Sequence, residues 1–256
     1  MEAPTCSATT ATPRLLLVRP DPSSRAHADF IVRLYNTPQF IASIGGKPTA
    51  ITTHDAAAGY IRRRFASEHE RNGYGTYLIV LKPGIALGAN NNVSESTSDG
   101  DGTTKDEVKA AEGKENVQPS DSGGTLIGTV SLSRGEGTIG KTCYGAPDLG
   151  FAVLPEYCRR GIATEASRGV LDWASREKGV DVVLGLHDPT NVASAGVLRK
   201  LGFEERGERK LTAFGGNAGL VWTWRAGGGN AEQDNGLGVT EEEVMALGLP
   251  ALGDEH

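Results

Sequence analysis

One stretch of the chain combines small residues, cations and a helix start. Phe151-Ala-Val-Leu-Pro-Glu-Tyr-Cys-Arg-Arg-Gly-Ile-Ala-Thr-Glu-Ala166 passes from an apolar run through a short turn into a helical pattern. The first-turn amides from Arg160 to Thr164 have no intrahelical acceptor and sit at the positive end of the helix dipole. Arg159 and Arg160 add two cations, while Gly161 and Ala163 let a ligand approach the backbone closely. Together Arg159, Arg160, Gly161, Ile162, Ala163 and Thr164 suit a pyrophosphate. The same residues also read as an ordinary helix start with two surface arginines.

A second stretch, Asn191-Val-Ala-Ser-Ala-Gly-Val-Leu-Arg-Lys-Leu-Gly-Phe203, is a helix with Asn191 as N-cap, Ser194 at its third position and Gly202 as the stop. A third is a decoy. Gly135, Gly137 and Gly140 spell G-x-G-x-x-G after a strand, but Gly145 and Pro147 follow, so no helix opens there to receive a dinucleotide. A loop between strands accounts for it better than a nucleotide site.

The first two stretches, in this order and spacing, resemble the coenzyme-binding signatures of the GNAT superfamily of N-acetyltransferases. Gly161 and Ala163 match the pyrophosphate loop, whereas Cys158 stands where the family has Arg or Gln, and Arg159 where many members have Gly. Asn191, Ser194, Leu198 and Lys200-Leu-Gly-Phe203 resemble the branch related to ribosomal-protein N-terminal alanine and serine acetyltransferases. Asn36-Thr-Pro-Gln-Phe-Ile41 and Asn72-Gly-Tyr-Gly75 resemble the same branch. Leu198 occupies the position where many other members carry a proton-donating Tyr.

The resemblance implies an acyl-CoA N-acyltransferase-like fold, a mixed α/β (α+β) architecture. Its central sheet is mostly antiparallel and twisted, with a splayed strand pair, and is flanked by helices. It further implies an amine attacking acetyl-CoA directly in a ternary complex, with acetyl-CoA as co-substrate and no metal. Pantetheine would pair with the backbone of Ala152, Val153 and Leu154, an amide near Val153 would hold the oxyanion, and Asn191 and Ser194 would lie beside the thiol. Attack needs a neutral amine and hence a base or water chain. The candidates are His187, whose imidazole ordinarily titrates near neutrality, and Asp148. With Ser194 these make the candidate catalytic set. The acceptor is a primary amine of a small molecule or a protein. A catalytically idle acyl-CoA-binding scaffold is the alternative, and a nucleotide-binding domain a distant third.

The elements that must position these residues follow from periodicity. Arg14–Arg19, Thr76–Leu81, Thr125–Ser133, Asp148–Leu154, Asp181–Leu186, Phe203–Lys210 and Leu220–Trp224 read as strands. His27–Asn36, Thr53–Arg71, Gly161–Lys178 and Asn191–Leu201 read as helices, and Thr52 with Asp55 has the spacing of a capping box. Thr37–Ile51 reads as irregular. Residues 1–13 are expected to be disordered. Residues 14–225 form the acetyltransferase domain, with 82–124 a disordered insertion, and 226–256 an acidic, Gly-rich tail. A short helix over Thr240–Leu247 is expected not to dock firmly.

Composition sets the outer limits. The 256 residues include 35 Gly and are 38% apolar, enough for one folded domain with polar, Gly-rich segments that do not fold. The net charge of −6 is concentrated in residues 85–124 and 226–256, leaving a mildly basic remainder that suits an anionic coenzyme. The basic residues form no nucleic-acid footprint. Cys6, Cys143 and Cys158, and the five histidines, show no metal-ligand or disulfide spacing. No signal peptide or membrane span is legible, which points to a cytoplasmic or nuclear protein without membrane partners. The oligomeric state is not legible.

Overall fold

The computed structural model describes residues 8–87, 123–227 and 238–252. The insertion expected over 82–124 falls mostly outside these residues. Eight strands form one sheet: β1 (Ala8–Ala11), β2 (Leu15–Val18), β3 (Thr76–Leu81), β4 (Thr125–Ser133), β5 (Asp148–Val153), β6 (Val182–His187), β7 (Glu204–Leu211) and β8 (Asn217–Arg225). Their order is β1-β2-β3-β4-β5-β6-β8-β7. Every pair is antiparallel except β5–β6, which is parallel and in register only at Asp148 and Leu184. Beyond that point the two strands diverge.

Helices cover both faces, as the nearly unbroken apolar character of β3 and β4 demands. On one face lie α5 (Ile162–Lys178) and α6 (Val192–Leu201). Ile162, Ala166, Val170, Leu198 and Leu201 pack there against Ile79, Ile127, Leu149, Val183 and Trp222. Fully burying each large side chain of this kind stabilises the fold by about 1.5–3 kcal/mol. Helix α6 approaches β6 so closely that a Cβ on Gly185 would meet a Leu198 methyl at 2.8 Å.

The other face carries α1 (Arg25–Tyr35), α2 (Pro38–Ser43), α3 (His54–Tyr60) and α4 (Ser67–Asn72). The expected single helix over Thr53–Arg71 is one continuous rod, but Ile61–Ala66 within it has π-helical bonding. Its cap is Thr53, whose hydroxyl accepts from the Ala56 amide, so Thr52 is not the cap. Within the segment read as irregular, Thr37 caps α2 and Pro38 occupies its first turn.

Both ends of the described chain depart from expectation. Ala8–Ala11 pairs with β2, extending the sheet into residues read as disordered. The tail helix α7 (Glu241–Ala246) docks: Val239, Val244 and Leu249 are buried against Tyr144, Leu184 and Val221. The fully buried Arg209 side chain ties the segment down, 2.8 Å from Glu241 and donating to the Pro250 carbonyl. No helix among the described residues is long and apolar enough to cross a membrane.

Candidate active site

The divergence of β5 from β6 opens a cavity of about 630 Å³. Its floor is Leu149, Gly150 and Phe151 of β5. Its opposite wall is Leu186 and His187 of β6 with Asn191, Ser194 and Leu198 around α6, and Ile44, Lys47, Phe214 and Asn217 close the rim. Three expected site residues, His187, Asn191 and Ser194, are thus gathered in one place. The Asn191 side chain accepts from the Ser194 amide at 3.0 Å and so fixes the start of α6 at the cavity wall. Ser194 is half-buried there.

The free edge of β5 follows from strand alternation. The Leu154 amide bonds to Ile127 of β4 at 2.9 Å, and the Pro147 carbonyl accepts from Leu184 of β6. Amides of the odd-numbered residues therefore face the β6 side. Phe151 and Val153 lie past the last pairing with β6, so their amides face the gap. Of these two, only Phe151 lines the cavity; Ala152, Val153 and Leu154 lie beyond it, toward the loop that enters α5.

That loop meets the sequence pattern in an informative way. Arg159 is the one non-glycine residue with positive φ among the described residues, at 62°. The left-handed conformation costs an L-residue about 1–2 kcal/mol and explains a position where Gly is favoured. Gly161, at φ 75° and exposed, caps α5 with no side-chain bond, so no capping side chain occupies the first-turn amides of Ile162, Ala163 and Thr164. Arg160 donates to the Leu87 carbonyl at 3.1 Å, and its buried Nε finds no partner among the described residues. The loop is braced from behind. Glu165 accepts from Thr12 at 2.5 Å and from the Arg14 amide at 2.9 Å, and Arg14 Nη1 donates to the Arg160 carbonyl at 3.0 Å. Burial pushes the Glu165 carboxyl up, but the bonds from Thr12 and Arg14 outweigh it and hold it below its ordinary value.

Cys158 faces inward. Its thiol donates to the carbonyls of Val153 at 3.6 Å and Leu154 at 3.5 Å. Burial, with Glu156 adding, pushes its pKa up, the opposite of an activated thiol.

The two candidate bases occupy different settings. His187 is buried, and both ring nitrogens are engaged. Trp222 Nε1–H donates to Nε2 at 2.9 Å, and Nδ1 lies 2.8 Å from the Asp188 carbonyl. With Nε2 accepting from Trp222, Nδ1 is the nitrogen placed to donate to the Asp188 carbonyl, and neither ring nitrogen is left for a substrate. Asp148 turns to the opposite face of β5 from Leu149, toward Glu68 and Arg64. Burial raises its carboxyl to about 7, with the Glu68 charge adding and Arg64 opposing.

Glu68, absent from the sequence-derived set, is itself buried. It accepts from the Arg134 amide at 3.1 Å and from Ser133, the residue paired with Asp148 across the sheet. Burial pushes its carboxyl up despite Arg64 and these bonds. Nothing local marks Glu68 in the sequence, because its hydrogen-bond donors Ser133 and Arg134 lie 65 and 66 residues along the chain. Among the described residues no group of three or more His, Cys, Asp or Glu is placed to hold a metal ion.

Residues 14–204 match the family described as the acetyltransferase (GNAT) domain. A comparison with curated proteins finds no match. Among solved structures, the microcin C7 self-immunity acetyltransferase in complex with acetyl-CoA and AMP is 12% identical with a TM-score of 0.56, covering 86% of this chain and 98% of that one. The ribosomal-protein-S5-alanine acetyltransferase from Vibrio fischeri is 16% identical with a TM-score of 0.55, covering 86% and 97%. The ribosomal L7/L12 α-N-protein acetyltransferase in complex with coenzyme A is 13% identical with a TM-score of 0.55, covering 86% and 98%. At these identities the likeness is one of fold. The family match spans most of the chain and includes both signature stretches, and on that ground the chain belongs to the GNAT acetyltransferase family.

Proposed function

We propose that the protein transfers an acetyl group from acetyl-CoA to a primary amine by direct attack in a ternary complex. The observation that carries this reading is the single-register β5–β6 pairing. It exposes backbone amides of β5 beside Asn191 and Ser194, and the same strand leads to the open N-terminus of α5.

In this reading the pyrophosphate sits on the amides of Ile162, Ala163 and Thr164 with Arg159 and Arg160. Pantetheine runs along Val153 and Phe151 toward Ser194. The amide of Phe151, a residue of the cavity lining, polarises the thioester carbonyl and receives its developing negative charge. This places the oxyanion two residues before the expected Val153.

Asp148 is the proton acceptor. It precedes Leu149 of the cavity floor without lining the cavity itself, and a pKa of about 7 matches a base working at neutral pH. A water carries the proton from the attacking nitrogen to its carboxylate. The C–N bond forms, the C–S bond breaks, and the coenzyme leaves as a thiolate that accepts a hydrogen bond from the Ser194 hydroxyl. His187 positions Trp222 and the end of β6.

The test is steady release of free CoA thiol with a panel of primary amines. The wild type releases it with at least one amine and Asp148→Asn does so about a hundredfold or more slowly. Failure of every amine, with acetyl-CoA bound, would leave the scaffold reading in place.

A further inference from the structure

A second cavity, of about 510 Å³, adjoins the reaction cavity on the α1–α3 side of the sheet. The two share Ile44. The walls of the second are aromatic and aliphatic. Tyr35 stacks on Phe40 with ring centroids 4.1 Å apart, and Tyr60 meets Tyr35 edge-on at 6.1 Å. Ile51 and Ala56 complete the apolar lining. Burial pushes the phenols of Tyr35 and Tyr60 upward, so both stay neutral.

The charges around the two cavities exclude one large class of acceptor. Arg63 lies at the second cavity and Lys47 at the first. Among the described residues, Asp188 is the sole acidic residue lining either, and its carboxylate already accepts from the Thr190 amide and hydroxyl. A polycation entering here would meet two cations and no free carboxylate, whereas an apolar arm would meet three aromatic rings.

Resting on the acetyl-transfer reading above, we infer that the acceptor is a monoamine bearing an apolar, preferably aromatic, arm. The arm occupies the Tyr35–Phe40–Tyr60 cavity and the amine reaches past Ile44 to the gap between β5 and β6. A free arylalkylamine and a peptide with an aromatic first residue share this chemistry.

Calorimetric titration of the CoA-bound protein with 2-phenylethylamine, a Phe-initiated tetrapeptide and putrescine tests it. The inference expects one or both aromatic amines to bind, and putrescine to bind at least about tenfold more weakly. It also expects Ala56→Phe, which fills the cavity, to abolish aromatic binding while leaving affinity for CoA unchanged. Thr49→Trp serves if Ala56→Phe does not fold. Putrescine binding as tightly as the aromatic amines, or aromatic binding unaffected by both filled variants, would overturn it. Aromatic binding with no release of CoA thiol when acetyl-CoA replaces CoA sinks the transfer reading and leaves the cavity assignment standing. Acetylation of putrescine without aromatic binding does the reverse.

Discussion

The indole nitrogen of Trp222 lies 2.9 Å from Nε2 of His187, inside a strand pair at the edge of the reaction cavity. This bond occupies a lone pair that a general base would need, and in the proposed mechanism His187 holds the wall in place while Asp148 takes the proton. In Trp222→Phe the His187 Nε2 is left buried without its donor, which costs about 1–3 kcal/mol. Chemical denaturation should show that loss, with the pH dependence of turnover unchanged. A shifted pH profile would return His187 to the list of bases.

Asp148 predicts a pH dependence with a definite sign. Its carboxyl must be ionised to accept a proton, so turnover should fall as pH drops through about 7. Stability runs the other way. The folded state raises this pKa, so the protonated form is the one the fold favours. The stability Asp148 contributes is complete below its ordinary value near 4 and is lost as pH rises through about 7. Asp148→Asn should therefore gain most in urea midpoint, relative to wild type, at pH 8 and least at pH 4, while losing activity. Equal effects at both pH values would contradict burial as the cause.

Arg159 combines a cost to the backbone with a charge beside the proposed coenzyme site. Relief of its left-handed conformation should make Arg159→Gly more stable by about 1 kcal/mol, less the entropy that Gly adds to the unfolded chain. The same change removes one cation beside the α5 N-terminus and should weaken acetyl-CoA binding. Thermal unfolding without ligand and titration with ligand should move in opposite directions.

The docked tail is part of the fold. Leu249 is 3% exposed, in the same cluster as Val244 and Tyr144. Leu249→Ala should cost about 2–5 kcal/mol by chemical denaturation. An unchanged midpoint would mean the tail is dispensable.

What the sequence disclosed divides by range. Strands β3 and β4, the Asn191 cap and the stop at Gly202 rest on residues within one turn of each other, and these match expectation residue for residue. The α2 signal, Thr37 followed by Pro38, was equally local and is legible once weighed as a cap rather than as a break. The four residues of β1, Ala-Thr-Thr-Ala, carry no apolar alternation. They are ordered by pairing with β2, beside Thr12 and Arg14 bound to Glu165 some 150 residues on. The tail failed for the same reason: an acidic helix says nothing of the Arg209 that receives Glu241. In the site, the loop proposed for the coenzyme could be picked out because its small residues and helix start follow one another in order. The surroundings that favour Asp148 over His187 in the proposed mechanism could not be read there, since they come from Trp222 and Glu68, partners 35 and 80 residues away along the chain.

The central claim is that acetyl-CoA binds at the α5 N-terminus and along β5. Thermal unfolding with and without acetyl-CoA, on wild type and on Gly161→Glu, tests it most directly. At about 100 times its dissociation constant the ligand should stabilise the wild type by about 2.7 kcal/mol. The exposed carboxylate introduced beside the first-turn amides should abolish that shift. An equal shift in both proteins, or none in a well-folded wild type, would contradict the claim.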